Sequence, residues 1–417
     1  MLDRSVAPAA STITRPTFPT VERINVGDVE MNILNLGEQP VVLFEMVFPV
    51  GRWEEPAPGL AFMLFKMIQE GTEKHNSEEI AELLDHHGSY LEITPTLDNV
   101  SIKLYTLNRF FPKLISLLAE MLSIPNFPEK EIITLKSIRL EQIKQSHARN
   151  NAYANLVFRE MLYGKNHPYG QLIEAEMVDL ITKESLLEAR KLLSYKPTVF
   201  ITGMITKEEI EEVNKAFKEI KFIDAPSRRS VDFEQTPSKN LIREDTTQAS
   251  IRIGCHSINR NHADIHHFKV ANELLGGFFG SRLMKNIREE KGLTYGIHSG
   301  MLHLSEGSYW SVSSEVLKDK MSLAQHEITR EIERLQNEPP SAEEFAMVIN
   351  YLKGKFLSSF GSPFSTHDMI KGHILAGLPE GYFDEFLNTL DTMKPHHVNE
   401  VLRKHINVES FTSLEVY

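Results

Sequence analysis

The sequence predicts an α+β fold of two homologous domains, each an antiparallel-rich sheet packed with helices. Strand-like and helical stretches follow one another in the same order twice along the chain. Each round ends in a proline-led long helix, and the spacing agrees: Val42 to Pro128 spans 86 positions, Ile251 to Pro340 spans 89. Repeats of that length are domain-sized, not solenoid units.

The first round opens with VVLFEMVF (41–48), a strand-like run, then a Gly/Pro break over 51–59 and an apolar helix. A helix over Ser77–His87 follows, with Ser77 as N-cap and Gly88 as stop. Ser89–Thr96 and Asn99–Leu107 read as strands and Phe111–Leu122 as a helix. Pro128 stands near the first position of a long helix reaching Gln145 or beyond. In the second round ASIRIGCH (249–256) is the strand, and Asp264 opens a helix ending at Leu275. Leu293–Met301 and Tyr309–Val316 are strands, Met321–Gln336 is a helix, and PPSAEEFAMVINYLKGKF supplies the proline-led helix. The polar DAPSRRSVDFEQTPSKN (224–240) reads as a linker. The expected division is an N-terminal arm at 1–22, domains at 23–222 and 241–417, and a linker at 223–240.

Composition narrows the function. A net charge of −12 argues against nucleic acid or anionic lipid as the main partner. The lone Cys255 excludes an intrachain disulfide and fits a reducing compartment. Glu45 interrupts the best apolar run, so no membrane span is expected. Cytoplasm is the expected compartment; a signal peptide removed earlier would place the chain in the periplasm instead.

Three stretches together resemble the pitrilysin-like zinc metallopeptidases, the family of insulinase and mitochondrial processing peptidase. PGLAFMLFKM…GT (58–72) is similar to that family's Pro-Gly-Leu-Ala-H-x-x-E-H-Met…Gly-Thr helix. KNHPYG (165–170) with ITKESLLEARKLLSYKPTVFITG (181–203) is similar to the close of its N-terminal domain. LLGGFFGSRLMKNIREEKGLTYGIHSG (274–300) resembles its Leu-Gly-Gly…Ser-Arg-Leu…Arg-Glu-Glu-Lys-Gly-Leu-x-Tyr signature. The resemblance runs from about Leu34 onward.

In the family, two histidines at i and i+4 hold zinc and a glutamate between them is general base. Here Phe62 and Lys66 stand at the ligand positions and Phe65 at the base. Phenylalanine offers no donor atom, and an ammonium repels a cation. Glu141, 75 positions after Lys66, matches the third ligand; Thr134 replaces the glutamate seven residues before it. One carboxylate is not a zinc site, so Glu141 is expected as a surface helix residue. Phe62 and Phe65 are expected to pack or cap a space that metal and water would otherwise fill. GSYLEITPT (88–96) places Glu92 and Ile93 where the family's substrate-binding edge has Asn and Ala, and Pro95 removes a donor.

The second half keeps its chemistry. Arg288 and Tyr295 match the arginine-tyrosine pair that the family supplies from its non-zinc domain. An arginine fork can hold peptide carbonyls, and a phenol can donate to a developing oxyanion. Among rival groupings, His262-x-x-x-His266 has metal-pair spacing but no base between. The doublets His86-His87, His266-His267 and His396-His397 carry no further motif. LLGGFFG lacks the lysine and Ser/Thr of a phosphate loop.

The resemblance therefore implies the non-catalytic subunit of a heterodimeric zinc peptidase that cleaves peptides in a clam-shell cavity. No cofactor is expected in this chain; zinc belongs to a catalytic H-x-x-E-H partner, and Arg288 and Tyr295 act in trans on its peptide. In isolation the chain is free to form a homodimer. The alternative is a structural, assembly or peptide-binding subunit with no proteolytic role.

Overall fold

The computed structural model describes residues 15–229, 231–243 and 246–417; residues 1–14 of the expected arm lie outside the described residues. The first half runs β1 (Glu22–Val26), β2 (Val29–Asn35), β3 (Val41–Phe48), α1 (Leu60–Met67), α2 (Ser77–His86), β4 (Tyr90–Pro95) and β5 (Val100–Leu107). It continues through α3 (Phe111–Ser123), α4 (Glu129–Ala148), α5 (Asn150–Tyr163), α6 (Ala175–Asp179), α7 (Lys183–Ala189), β6 (Thr198–Gly203) and α8 (Lys207–Phe217). The second half runs β7 (Ser238–Leu241), β8 (Gln248–His256), α9 (Ile265–Asn272), β9 (Thr294–Leu304) and β10 (Gly307–Leu317). It closes with α10 (Met321–Asn337), α11 (Ala342–Ser358), α12 (Pro363–Leu375), α13 (Tyr382–Thr392), α14 (Pro395–His405) and β11 (Thr412–Val416).

Strand order displays the repetition. One sheet is ordered β1-β2-β6-β3-β5-β4 and the other β7-β11-β8-β10-β9. Without β1 the two share one plan, down to a single parallel pair in each, β2–β6 and β7–β11. The remaining pairs are antiparallel. β4 and β9 occupy matching free edges.

The apolar run of β3 follows from burial on both faces. Val42, Phe44, Met46 and Phe48 join the core beneath the helices of the first half. On the opposite face Val47 belongs, with Phe200 of β6, to the core of the second half. That second face is covered by exchange. Helix α12 lies across β6, whereas α5 packs on β8 and β11 of the other sheet, Phe158 and Leu162 meeting Leu414 and Val416. The described residues of 224–240 run as a strap between the halves. Phe233 stacks on His256 at 4.5 Å, and Arg228 joins Glu54 at 2.8 Å and Asp98 at 3.0 Å.

One helix start and one helix end differ from expectation. Asn76, not Ser77, caps α2: its side chain accepts from Glu79 N while Glu79 accepts from Asn76 N, a reciprocal box that Ser77 as first helical residue cannot form. The helix after Asp264 stops as α-helix at Asn272, and a wider-wound turn carries the chain over 273–277. Asp264 holds the N-cap position as expected, but its carboxylate accepts from Lys404 and His405 of α14 rather than from the helix.

Candidate functional site

Helix α1 begins at Gly59, whose φ of 85° admits the sharp entry after Pro58. Glu55 caps the opening: one carboxylate oxygen accepts from Gly59 N at 2.9 Å and Ala61 N at 3.3 Å. Phe65 is fully buried, its ring edge-on to Phe48 at 5.2 Å. It packs into the core of the first half. Phe62 is half-buried, with the Arg139 guanidinium 4.4 Å above its ring. Lys66 is half-buried too, and burial lowers its pKa against the opposing pull of Glu92 and Glu70.

Glu141 lies exposed on α4, accepting from Gln145 Nε2 at 3.1 Å. The neighbour that meets α1 is Arg139. Zinc needs convergent nitrogen, oxygen or sulfur donors. Two phenyl rings, an ammonium and a solvent-facing carboxylate do not fit a zinc ion. The substrate-edge positions are altered as well, since Ile93 of β4 is buried and Pro95 lies opposite Val100.

The long signature of the second half divides between packing and exposure. Gly276 is held because a Cβ there would come within 2.6 Å of Ser299 Oγ and 2.9 Å of its backbone nitrogen. Arg282 grips Glu344 of α11 through two bonds of 2.8 and 3.0 Å. Asn286 donates to Glu327 and Glu331 of α10 at 3.0 and 2.9 Å. Gly292, at φ 60°, ends the turn that carries Arg288.

Arg288 and Tyr295 stand apart from that framework. Pairing of β9 with β10 slips beside Tyr295: Ile297 faces Ser314, Thr294 faces Val316, and two residues of β9 stand opposite Glu315 alone. Such a bulge re-aims side chains. Thr294 Oγ1 pins it by donating to Glu315 O at 2.6 Å and accepting from Gly296 N at 3.1 Å. Tyr295 is 91% exposed, and Arg288 lies 4.6 Å over the ring of Phe279, itself 63% exposed.

Other polar groups gather where the motifs gave no notice. Buried Glu45 accepts from His367 Nε2 at 2.5 Å, Lys371 at 3.1 Å and the Ser101 hydroxyl. Burial would raise its carboxyl; the His367 bond, the Lys371 charge and Ser101 outweigh it and hold the group below the usual range. The visible signal was Glu45 itself, a charge inside an apolar strand. His262 and His266 do not act as a pair. His266 packs at 4.5 Å on Tyr382, with burial pushing its pKa to about 4, whereas His262 gathers with Asp264 and His405.

A duplicated α+β scaffold whose metal helix bears no metal ligand defines a class of peptidase-like chains. Residues 35–171 match the model of insulinase, peptidase family M16, and residues 195–352 that of the peptidase M16 inactive domain. The chain belongs to the M16 family, the pitrilysin and insulinase peptidases. It is 23% identical over 367 residues to a Helicobacter pylori protein named non-peptidase homolog YmxG, covering 85% of this chain and 83% of that one. It is also 23% identical over 359 residues to a Bacillus subtilis protein named uncharacterized zinc protease YmxG, covering 83% and 85%. A solved M16 inactive domain from Pseudomonas fluorescens superposes with a TM-score of 0.87 at 20% identity, covering 95% and 97%. Among the described residues no helix is long and apolar enough to cross a membrane.

Proposed function

We propose that this chain is the Arg-Tyr-donating, non-catalytic subunit of a heterodimeric M16 peptidase. The observation that carries the reading is Tyr295, held outward on a pinned bulge close in sequence to Arg288 while α1 is packed with phenylalanine. Tyr and Arg are typical anchors at interfaces. In the assembled enzyme Arg288 donates to carbonyls of an extended peptide, and the Tyr295 hydroxyl donates to the oxygen that gains charge. The two domains serve as one wall of the clam-shell. Zinc, on this reading, resides in the H-x-x-E-H partner.

Reconstitution with an H-x-x-E-H homologue tests this. Tyr295→Phe removes one oxyanion donor and is expected to lower kcat about 10²–10³-fold, with assembly intact by size exclusion. Arg288→Ala is expected to raise KM. Unchanged peptidase rates in both variants overturn the trans role. The name of the H. pylori relative favours a second reading, in which the chain assembles or binds peptide without proteolysis. That reading is supported if the complex forms and binds peptide but the substitutions alter only binding.

A further inference from the structure

Between α1, α4, α5 and the loops at 50–59 and 171–173 lies a cavity of about 330 Å³ whose charges do not balance. Arg52, Arg139 and Arg159 line it with a single buried carboxylate, Glu55. In a chain carrying 57 acidic against 45 basic residues, three guanidiniums to one carboxylate is a local inversion.

Glu55 is already engaged. Its Oε1 lies 2.6 Å from Arg52 Nη1, the two side chains being 5% and 7% exposed, and its Oε2 caps α1. Arg52 also donates through Nε and Nη2 to the carbonyls of Pro168 and Gln171. That leaves two cations. Arg159 donates through Nε to Tyr169 O, and among the described residues no acidic side chain forms an ion pair with it. Arg139 stacks on Phe62, reaches Gln142 through Nη1 at 3.2 Å, and leaves its buried Nε without a partner. Burial and the charge of Arg52 both weigh against the ionised forms of Arg139 and Arg159. Unpaired buried charge is costly, and a bound anion removes that cost.

The rest of the wall sets the shape of the anion. Phe62, Leu97, Val100, Ile143, Leu156 and Ile173 present carbon. A volume of about 330 Å³ sits at the small end of ligand pockets and holds roughly ten heavy atoms. An inorganic anion would leave that apolar wall unfilled. We infer that the cavity beside α1 binds a carboxylate borne on a compact apolar group, its charge met by Arg139 and Arg159 and its body by Phe62 and the neighbouring aliphatic side chains. Two sources share this chemistry: a free branched-chain acid, and the C-terminal residue of a peptide. The site belongs to this chain alone and does not depend on a partner or on Arg288 and Tyr295.

Isothermal titration of the isolated full chain distinguishes the outcomes. The probes are 4-methylpentanoate, the tripeptide Ala-Ala-Leu, and the amide of each. At least one acid is expected to bind, and its amide about 10–100-fold more weakly, the worth of a charge-assisted hydrogen bond. Binding of the tripeptide alone identifies a peptide terminus; binding of 4-methylpentanoate identifies a small acid. Arg139→Met keeps the stem over Phe62 and is expected to weaken the acid by a similar factor, with an unchanged melting curve confirming the fold. The inference is overturned if acids and amides bind equally, if no acid binds at millimolar concentration, or if Arg139→Met binds as the parent does.

Discussion

Helix α1 and the bulged start of β9 hold aromatic residues of the two halves in opposite states. Phe65 is fully buried against Phe48, and Phe62 is roofed by Arg139. Tyr295 is turned out to solvent, close in sequence to an arginine laid over an exposed phenylalanine. The α1 side has been converted into packing, with apolar carbon where donor atoms would be needed. The β9 side spends backbone regularity on holding a phenol outward, which stability alone does not require. The contrast separates residues buried in the fold from residues held at its surface.

Substitution at Phe65 attacks the packed side and carries the largest expected effect. Phe65→Ala is expected to cost about 3–5 kcal/mol in chemical denaturation. Phe65→Glu, which restores the family's base, is expected to cost at least as much because the carboxylate enters a core with no partner. A loss under about 1 kcal/mol in either would show that α1 is not packed as described.

Glu45 supplies a second measure, because it ties β3 to the exchanged helix α12. Glu45→Gln breaks a buried ion pair and is expected to cost about 3–5 kcal/mol near neutral pH. The folded carboxyl titrates below its ordinary range. Its stabilisation is therefore complete above the unfolded value of about 4.3 and is lost as pH falls through the lower folded value. Melting temperature against pH should fall more steeply below about pH 4 in the parent than in Glu45→Gln. Parallel curves would remove Glu45 from the account.

The smallest expected effect belongs to Tyr295. Tyr295→Ala should change stability by no more than about 0.5 kcal/mol, since an exposed side chain has little packing to lose. A larger loss would mean that the phenol holds the bulge and would blur the contrast between the two sides.

The sequence exposed the parts of this arrangement that depend on local pattern. Strand and helix order followed from apolar periodicity and from punctuation by Pro and Gly, and the matched spacing disclosed the repeat. Arg288 and Tyr295 were visible through the signature around them. The bulge was not, because it exists only in the register between β9 and β10. Glu45 was visible as a charge in an apolar run, but its partner His367 lies 322 positions away. No motif in the sequence singles out Arg52, Arg139 or Arg159. Only the packing of α1, α4 and α5 brings them to one cavity. The choice of Ser77 over Asn76 as cap failed because both residue types suit the position, and the return bond from Glu79 decides between them.

The exchange of α5 and α12 bears on what a domain means in this chain. Each half leaves one face of its sheet to be covered by a helix from the other, including Leu414 and Val416 under α5 and Phe200 under α12. A cut at the strap would yield two incomplete bodies rather than two modules, and unfolding of either half uncovers its neighbour. In the language of oligomers, the molecule is a swapped dimer whose two protomers have been joined end to end.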